Sequence, residues 1–333
     1  MLISDIGEAG LINRITQLVN RTSQKQSPCH TQLILGIGDD AAVWKQGESI
    51  QLATTDILME GIHFDLAHIN WHDLGWKVIA VNISDVAAMG GCPCYALISL
   101  ALPGHHSVEN VLAMYKGMLE ICELYGLTIV GGNISAADKL SLSVALIGIC
   151  DRYPMVRSAA AAGDLIAVTG YPGLSAAGLQ AALSTTRLSP TAKKLFYNAH
   201  FRPVPQIEAG QALSALGVKT AIDTSDGLLA DLGHICEASR KSAVIHTNSV
   251  PYHPLLKHYY PHDYLQLALS GGEDYALLFT ATSDIIQEAK SKLSLPVSII
   301  GEITSAKTGK VTILDKQGKN IEADPGGWDH YKH

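Results

Sequence analysis

The chain has 333 residues, of which 47% are hydrophobic and 17% are charged, and its formal net charge is −7. This length and apolar content predict a globular protein of about two domains. The acidic balance leaves no broad cationic surface for nucleic acid or an anionic membrane, so we expect a small-molecule partner. Apolar runs fall short of the roughly 20 residues that span a bilayer, and MLISDIGEAG shows no targeting pattern, which predicts a cytoplasmic protein.

Helices alternating with short apolar strands form the main pattern along the chain. The predicted helices cover residues 5–19, 71–89, 107–125, 174–183, 206–216 and 227–238. The predicted strands cover residues 33–37, 50–54, 94–102, 128–130, 140–149, 165–169, 275–280 and 297–300. The alternation predicts an α/β or α+β fold. Residues 150–162 turn polar and then alanine-rich, so we expect domains at 1–150 and 151–333.

The six cysteines raise two possibilities, disulfide bonds or a metal site, and their spacing favours neither. Cys92 and Cys94 are the only close pair, and one intervening residue is tighter than the usual spacing of zinc ligands. The other four are scattered, which is typical of small hydrophobic side chains in a reducing compartment. We therefore expect thiols without a structural zinc.

Carboxylates follow apolar runs, interpreted as strand ends, at five places in the chain. They are Asp39 and Asp40, Asp56, Asp85, Asp223 and Asp226, and Glu273 and Asp274. Loops at strand ends can converge on one cleft, where repulsion raises the pKa of each acid unless cations bind. An all-oxygen set without paired His or Cys favours Mg²⁺. The alternative is that single residues, such as Asp85 and Asp226, cap helices.

Glycine-containing segments and a weak internal similarity between two short segments add to this pattern. Residues 131–132, 170–173 and 271–272 contain glycines that let backbone amides approach phosphate, although turns need glycine too. There is no GxxxxGK[ST] loop, so a nucleotide would bind through another arrangement. Residues 82–85 resemble residues 223–226, so the two halves of the chain would each present an acidic segment before a helix.

Six motifs carry a resemblance to a known family. They are GIGDDAAV at 36–43, TTDILMEGIHF at 54–64, VNISDVAAMGGCP at 81–93, IDTSDGLLADLGHI at 222–235, SGGEDYALLF at 270–279 and GGWDHY at 326–331. Together they look like the thiamine-monophosphate kinases. EGIHF and GWDHY set these kinases apart from the wider aminoimidazole-ribonucleotide-synthetase-like superfamily, which includes selenophosphate synthetase.

The resemblance implies a fold, a reaction and a set of site residues. It implies an N-terminal domain that forms a dimeric β-barrel with its twin, a C-terminal α/β domain that closes the active site, and ATP-dependent phosphorylation of thiamine phosphate. The matched Mg²⁺ positions are Asp39, Thr54, Thr55, Asp56, Asp85, Asp223 and Asp226, with Asp85 and Asp226 as catalytic residues. The matched ATP positions are Tyr115, Gly132, Asn133, Arg157 and Ser225. The matched thiamine phosphate positions are His63, Glu273 and Trp328.

One matched position departs from the family pattern. The family carries GGDT where this chain has Gly131-Gly132-Asn133-Ile134, so Asn133 replaces a Mg²⁺-binding aspartate. An amide oxygen can still bind a metal ion, but it brings no negative charge. This departure leaves a non-catalytic binding protein as one alternative function. A second alternative is another superfamily enzyme such as selenophosphate synthetase, although Cys29-His30 lacks the adjacent lysine.

Without the motifs, three of the matched residues have simpler interpretations. Trp328 could be a hydrophobic plug, because a buried indole often serves only packing. His63 could be a hydrogen-bonded loop histidine, and Tyr115, in the middle of a predicted helix, could be a packing residue.

Overall fold

The computed structural model describes residues 3–22, 33–306 and 308–321. The predictions that involve Cys29, His30 and Trp328 lie outside these ranges. An opening helix, α1 (Ile3–Thr22), agrees with the amphipathic spacing of the first residues. Among the described helices, none combines the length and apolar character that crossing a membrane requires.

The first sheet contains six strands from the first half of the chain. They are β1 (Leu33–Leu35), β2 (Ala42–Gln46), β3 (Ser49–Met59), β4 (Cys92–Leu102), β5 (Thr128–Ala136) and β6 (Ser141–Cys150). The order is β1-β2-β3-β6-β4-β5, and only β4 and β5 run parallel. Strand side chains alternate between the two faces, which buries Leu52 and Leu58 of β3 on one face and leaves Ile57 exposed on the other.

Two helices cover the buried face of this sheet, α2 (Trp71–Ala88) and α3 (Val108–Tyr125). The helices cross at two glycines: a Cβ on Gly75 would lie 1.8 Å from the carbonyl oxygen of Met114, and one on Gly117 would lie 1.8 Å from that of His72. Larger residues cannot fit at either position without separating the helices. The close approach buries α2 almost completely.

The second sheet contains six strands from the second half. They are β7 (Leu165–Thr169), β8 (Thr220–Asp223), β9 (Ser242–His246), β10 (Leu277–Ala281), β11 (Val297–Thr304) and β12 (Val311–Leu314). The order is β12-β9-β11-β7-β10-β8. The helices are α4 (Leu174–Leu183), α5 (Pro190–Phe201), α6 (Ile207–Ala215), α7 (Leu228–Ser239), α8 (Pro254–Tyr259), α9 (Tyr264–Ser270) and α10 (Ser283–Lys292). The chain is thus a two-domain α/β protein with two mixed sheets.

Helix α2 also packs against the second half of the chain. The indole Nε1 of Trp76 donates to the carbonyl oxygen of Pro203 at 2.7 Å. A Cβ on Gly210 would lie 2.0 Å from the carbonyl oxygen of Ala87, so α6 lies directly against α2. The C-terminal end of α2 therefore lies at the junction of the two halves, next to β8.

Two sequence-based predictions about acidic residues need correction, and the predicted dimeric barrel is not closed by one chain. Asp85 does not follow a strand, because the apolar run before it is part of α2, and a position within the last turns of a helix also excludes N-capping by Asp85. Glu273 and Asp274 follow α9 rather than a strand. The described part of the first sheet is open, with β1 and β5 at its edges, so one chain does not close a barrel.

Candidate active site

Three carboxylates from distant parts of the chain meet at this junction. Asp40 lies between β1 and β2, Asp85 near the end of α2, and Asp223 at the end of β8. One oxygen from each side chain lies within 4.8 Å of the others. Both halves of the chain therefore contribute to one acidic cluster.

Hydroxyl groups from α2 and β3 orient two of these carboxylates. The Oγ1 of Thr54 donates to Oδ2 of Asp85 at 2.5 Å, and the Oγ of Ser84 donates to Oδ2 of Asp223 at 2.5 Å. The segments 82–85 and 223–226, which resemble each other in sequence, thus meet in space. Each hydrogen bond fixes one oxygen and leaves the other directed toward further partners.

The carboxylates have raised pKa values because they are buried and close together. Burial is the largest cause for Asp85, whose pKa lies well above its ordinary value, and the charges of Asp56 and Asp223 add to it. Burial followed by the charge of Asp40 raises the pKa of Asp223 to about 8, and burial raises that of Asp56 to about 6. A bound cation would lower these pKa values again, since it favours the ionised carboxylates.

The donor set fits a magnesium ion. The groups are carboxylate and hydroxyl oxygens, which Mg²⁺ prefers. Oδ2 of Asp40 is buried and has no hydrogen-bond partner among the described residues, so it is an acceptor in need of a ligand. Asp40, Asp85 and Asp223 would therefore hold the ion, with Asp56 beside them.

Asp39, the predicted ligand, has a different environment from Asp40. Its Oδ1 accepts the amide of Asp40 at 3.1 Å, and its Oδ2 accepts the amide of Arg157 at 3.0 Å. The Nε of Arg157 donates to Oδ1 of Asp40 at 3.2 Å, and a second guanidinium nitrogen contacts the same oxygen. Asp39 therefore orders the loop around the cluster, whereas Asp40 enters it.

A second acidic group lies at the start of α7. Oxygens of Asp226 and Asp231 and a ring nitrogen of His234 lie within 4.8 Å of one another. Asp226 is 39% exposed, whereas Asp231 is buried and accepts the amide of Gly227 at 3.0 Å. Asp231 and His234 were not singled out from the sequence, although both lie within the motif at 222–235.

Other predicted residues lie away from the acidic cluster within one chain. Thr55 is on the opposite face of β3 from Thr54 and Asp56, because strand side chains alternate. Gly132 is in register with Ile98 of β4, and β4 and β6 lie between it and β3. Gly132 also has a packing role, since a Cβ there would lie 1.9 Å from the carbonyl oxygen of Ile98.

Asn133 and Tyr115 are on the outer side of the same domain. Asn133 is exposed on the edge strand β5, in register with Ser99. Tyr115 is on α3 and half-buried, and burial raises the pKa of its hydroxyl group. Neither residue joins the acidic cluster of its own chain.

Two residues predicted to contact thiamine phosphate lie close together at the junction. The Nδ1 of His63 accepts the amide of Met59 at 2.9 Å. Glu273 forms an ion pair with Lys77 of α2, with 2.8 Å between Nζ and Oε1. Burial acts to raise the pKa of Glu273, but the positive charge of Lys77 outweighs burial and lowers it. Lys77 was not found from the sequence, because apolar residues flank it in α2.

Comparison with known proteins gives a consistent result over most of the chain. Models of the AIR synthase related protein family match residues 38–150 with the N-terminal domain and residues 161–314 with the C-terminal domain. The thiamine-monophosphate kinase of Bacillus subtilis (strain 168) is 36% identical over 311 residues, which cover 91% of this chain and 95% of the relative. The chain belongs to the thiamine-monophosphate kinase family. The Escherichia coli (strain K12) kinase is 39% identical over 307 residues, which cover 89% of this chain and 92% of the relative.

Solved structures of thiamine-monophosphate kinases share the fold. The structure described as AaThiL complexed with AMPPCP and TMP has a TM-score of 0.84 and 34% identity, and covers 99% of each chain. The Aquifex aeolicus kinase structure has a TM-score of 0.80 and 33% identity, with 97% of this chain and all of that chain covered. A hydrogenase maturation protein HypE in complex with ATP, at 18% identity and a TM-score of 0.65, shares the fold alone.

Proposed function

We propose that this protein transfers the γ-phosphoryl group of ATP to thiamine phosphate and so forms thiamine diphosphate. The observation that carries the proposal is the buried cluster of Asp40, Asp85 and Asp223, which joins both halves of a chain of this family. A solved relative that shares the fold is described as a complex with AMPPCP and TMP. AMPPCP is an ATP analogue, and TMP fits thiamine monophosphate.

The reaction requires positioning and charge stabilisation more than protein nucleophiles. A bound Mg²⁺ would supply charge neutralisation for the phosphoryl group as it transfers. Asp40, Asp85, Asp223 and the partly exposed Asp226 would hold the ion in place. The acceptor phosphate of thiamine phosphate is ionised near neutral pH, so direct transfer needs no covalent enzyme intermediate.

The nucleotide contacts are proposed on β5, α3 and the segment before β7. Arg157 offers a guanidinium group that suits phosphate oxygens, while its present partner is Asp40. An apolar cavity of about 450 Å³ lies between α3 and the β5 edge of the first sheet, lined by Val111, Leu112 and Ile134 among others. Its size and apolar walls suit a purine base. Ser225 remains a predicted ATP contact.

The thiamine phosphate contacts are proposed at His63, Glu273 and Trp328. Glu273 would face the cationic thiazolium ring and His63 the neighbouring polar groups. Trp328, beyond the described residues, would stack on the heteroaromatic rings. The sequence-based division at residue 150 would assign nucleotide and metal binding to residues 1–150 and closure of the site to residues 151–333.

A homodimer completes this proposal. The uncovered face of the first sheet exposes apolar side chains, namely Ile57, Tyr95, Leu97 and Val130. A contiguous exposed apolar face favours an interface, and a second copy that packed on this face would form the predicted barrel. Residence in the cytoplasm remains a prediction from the sequence.

Chromatographic detection of thiamine diphosphate, made from purified protein, ATP, Mg²⁺ and thiamine phosphate, tests the function. We expect product that rises with time and disappears when EDTA removes Mg²⁺. A single-turnover reaction with excess protein distinguishes the alternative of a pure binding protein, which would consume no ATP. Absence of product with bound substrates would contradict the proposed reaction.

A further inference from the structure

A fully buried lysine lies beneath the proposed thiamine phosphate site. Lys77 is 1% exposed, although it belongs to α2, whose other core positions are mostly apolar. A buried ammonium group is costly unless it is paired, and its Nζ lies 2.8 Å from Oε1 of Glu273. The ion pair thus joins the helix of the first half to the loop that precedes β10.

The partner carboxylate is the one group of this pair that reaches solvent. The side chain of Glu273 is 28% exposed, whereas Lys77 has almost no contact with solvent. The Nδ1 of His200 lies 3.4 Å from Oε2 of Glu273 and 3.0 Å from the Oγ of Ser175. Burial lowers the pKa of His200 to about 4, so His200 is neutral at pH 7 and Lys77 is the buried positive charge.

The loop that carries Glu273 is held in an uncommon backbone conformation. Glu273 has φ +61° and Tyr275 has φ +50°, a region that non-glycine residues rarely adopt. The amide of Glu273 donates to the carbonyl oxygen of Ser225 at 2.7 Å, and Asp274 accepts the amides of Gly173 and Ser175 at the start of α4. The surrounding contacts therefore fix the backbone, and Lys77 fixes the side chain.

We propose that Lys77 is a positioning residue for thiamine phosphate: it orients the carboxylate of Glu273 toward the bound ligand without touching the ligand itself. The inference rests on the proposed function, because it assigns the cleft beside Glu273 to thiamine phosphate. A single buried ammonium group that holds one carboxylate oxygen restricts the rotation of the carboxylate and keeps it ionised. A cationic ring then meets an oriented negative charge rather than a mobile one.

Substitution of Lys77 by Met tests the proposal, with calorimetric binding of thiamine phosphate and of an ATP analogue as readouts. We expect Lys77→Met to weaken thiamine phosphate about tenfold and to leave the nucleotide within about twofold. Val78→Ala, at the neighbouring buried position of α2, is the matched control for lost packing and should change neither affinity. Equal weakening of both ligands, or the same effect in the control, would overturn the proposal.

A second pair of variants covers the case in which Lys77→Met does not fold. Glu273→Gln removes the carboxylate charge, and Lys77→Met with Glu273→Gln removes both charges, so no unpaired ion is buried. If Lys77 acts only through Glu273, the double variant binds thiamine phosphate as Glu273→Gln does. A further loss in the double variant would refute this. Failure of the wild-type protein to bind thiamine phosphate at all would instead contradict the proposed function.

Discussion

At the scale of single residues, the sequence predicted that acidic side chains converge but not which of them meet. The motifs correctly drew attention to Asp85 and Asp223, which meet in space. Which of Asp39 and Asp40 enters the cluster depends on how the backbone turns between β1 and β2. Two adjacent aspartates in a sequence do not reveal the direction of that turn. The separation of Thr54 from Thr55 follows from strand alternation, so it could have been predicted once β3 was assigned.

Replacement of Asp85 tests the carboxylate cluster directly. Asp85→Asn should lower kcat by about a hundredfold or more, because the site loses a charge that would hold the metal ion. The metal-free variant should be more stable by about 1 kcal/mol at pH 7.5, since burial and neighbouring carboxylates disfavour the ionised Asp85. Thermal unfolding in EDTA and activity assays measure both effects, with Asp138→Asn on the surface as the control. Near-normal activity at limiting Mg²⁺ would exclude Asp85 as a metal-site residue.

Asn133 offers a prediction in the opposite direction. Asn133→Asp would add a negative charge where the family carries aspartate, so it should lower the Mg²⁺ concentration for half-maximal activity and raise kcat about tenfold, which is roughly 1.4 kcal/mol. The wild-type protein should be slow rather than inactive. Mg²⁺ titrations of both forms measure the change, and Asn248→Asp adds the same charge at a distant exposed position. An unchanged titration in Asn133→Asp would remove Asn133 from the metal site.

At the scale of elements, segments with a strong apolar pattern were predictable, including the five-residue strand β7, and most short segments without one were not. α4 and β7 have the predicted bounds, and α2 and α3 differ from them by one residue at an end. The strands β2, β8, β9 and β12 contain only four or five residues, too few for a period of two to stand out from chance. Helix α5 was missed because its buried face depends on contact with α4.

The contact between α5 and the loop before β10 predicts a pH dependence of stability. The pKa of His200 is lowered by burial to about 4, so the unfolded chain binds more protons between pH 4 and 6.5, and stability falls as the pH falls through that range. His200→Gln should remove about 2 kcal/mol of the stability difference between pH 7.5 and pH 5. Urea unfolding at both pH values measures it. His258→Gln, at an exposed position, should keep the wild-type difference in free energy of unfolding between the two pH values. An equal difference in both variants would contradict the assignment to His200.

At the scale of the whole molecule, the position of β5 bears on whether one chain suffices for an active site. Gly132 is in register with Asp56 through β4 and β6, and three strand spacings of about 4.8 Å place the two about 14 Å apart. The sequence motifs could not reveal this separation, because they gave the order of the residues but not the order of the strands. Asn133 is therefore too far from the acidic cluster of its own chain to share a metal and nucleotide site with it. A dimer in which β5 of one subunit approaches the acidic cluster of the other would bring the two together.

Mixed dimers test this arrangement. Asp85→Asn and Asn133→Lys should each be inactive alone, the second because a cation on an exposed strand repels Mg²⁺ without disturbing the core.

Co-expression of the two chains in equal amounts should restore about one quarter of wild-type activity if the site is shared, because half of the dimers are mixed and each mixed dimer has one undamaged site of its two. If each chain builds its own site, every site in the mixture contains a defect and activity stays at the level of the separate variants. Sedimentation of the mixture confirms that dimers have formed, so lack of recovery in a dimeric sample would contradict the shared site rather than the assembly.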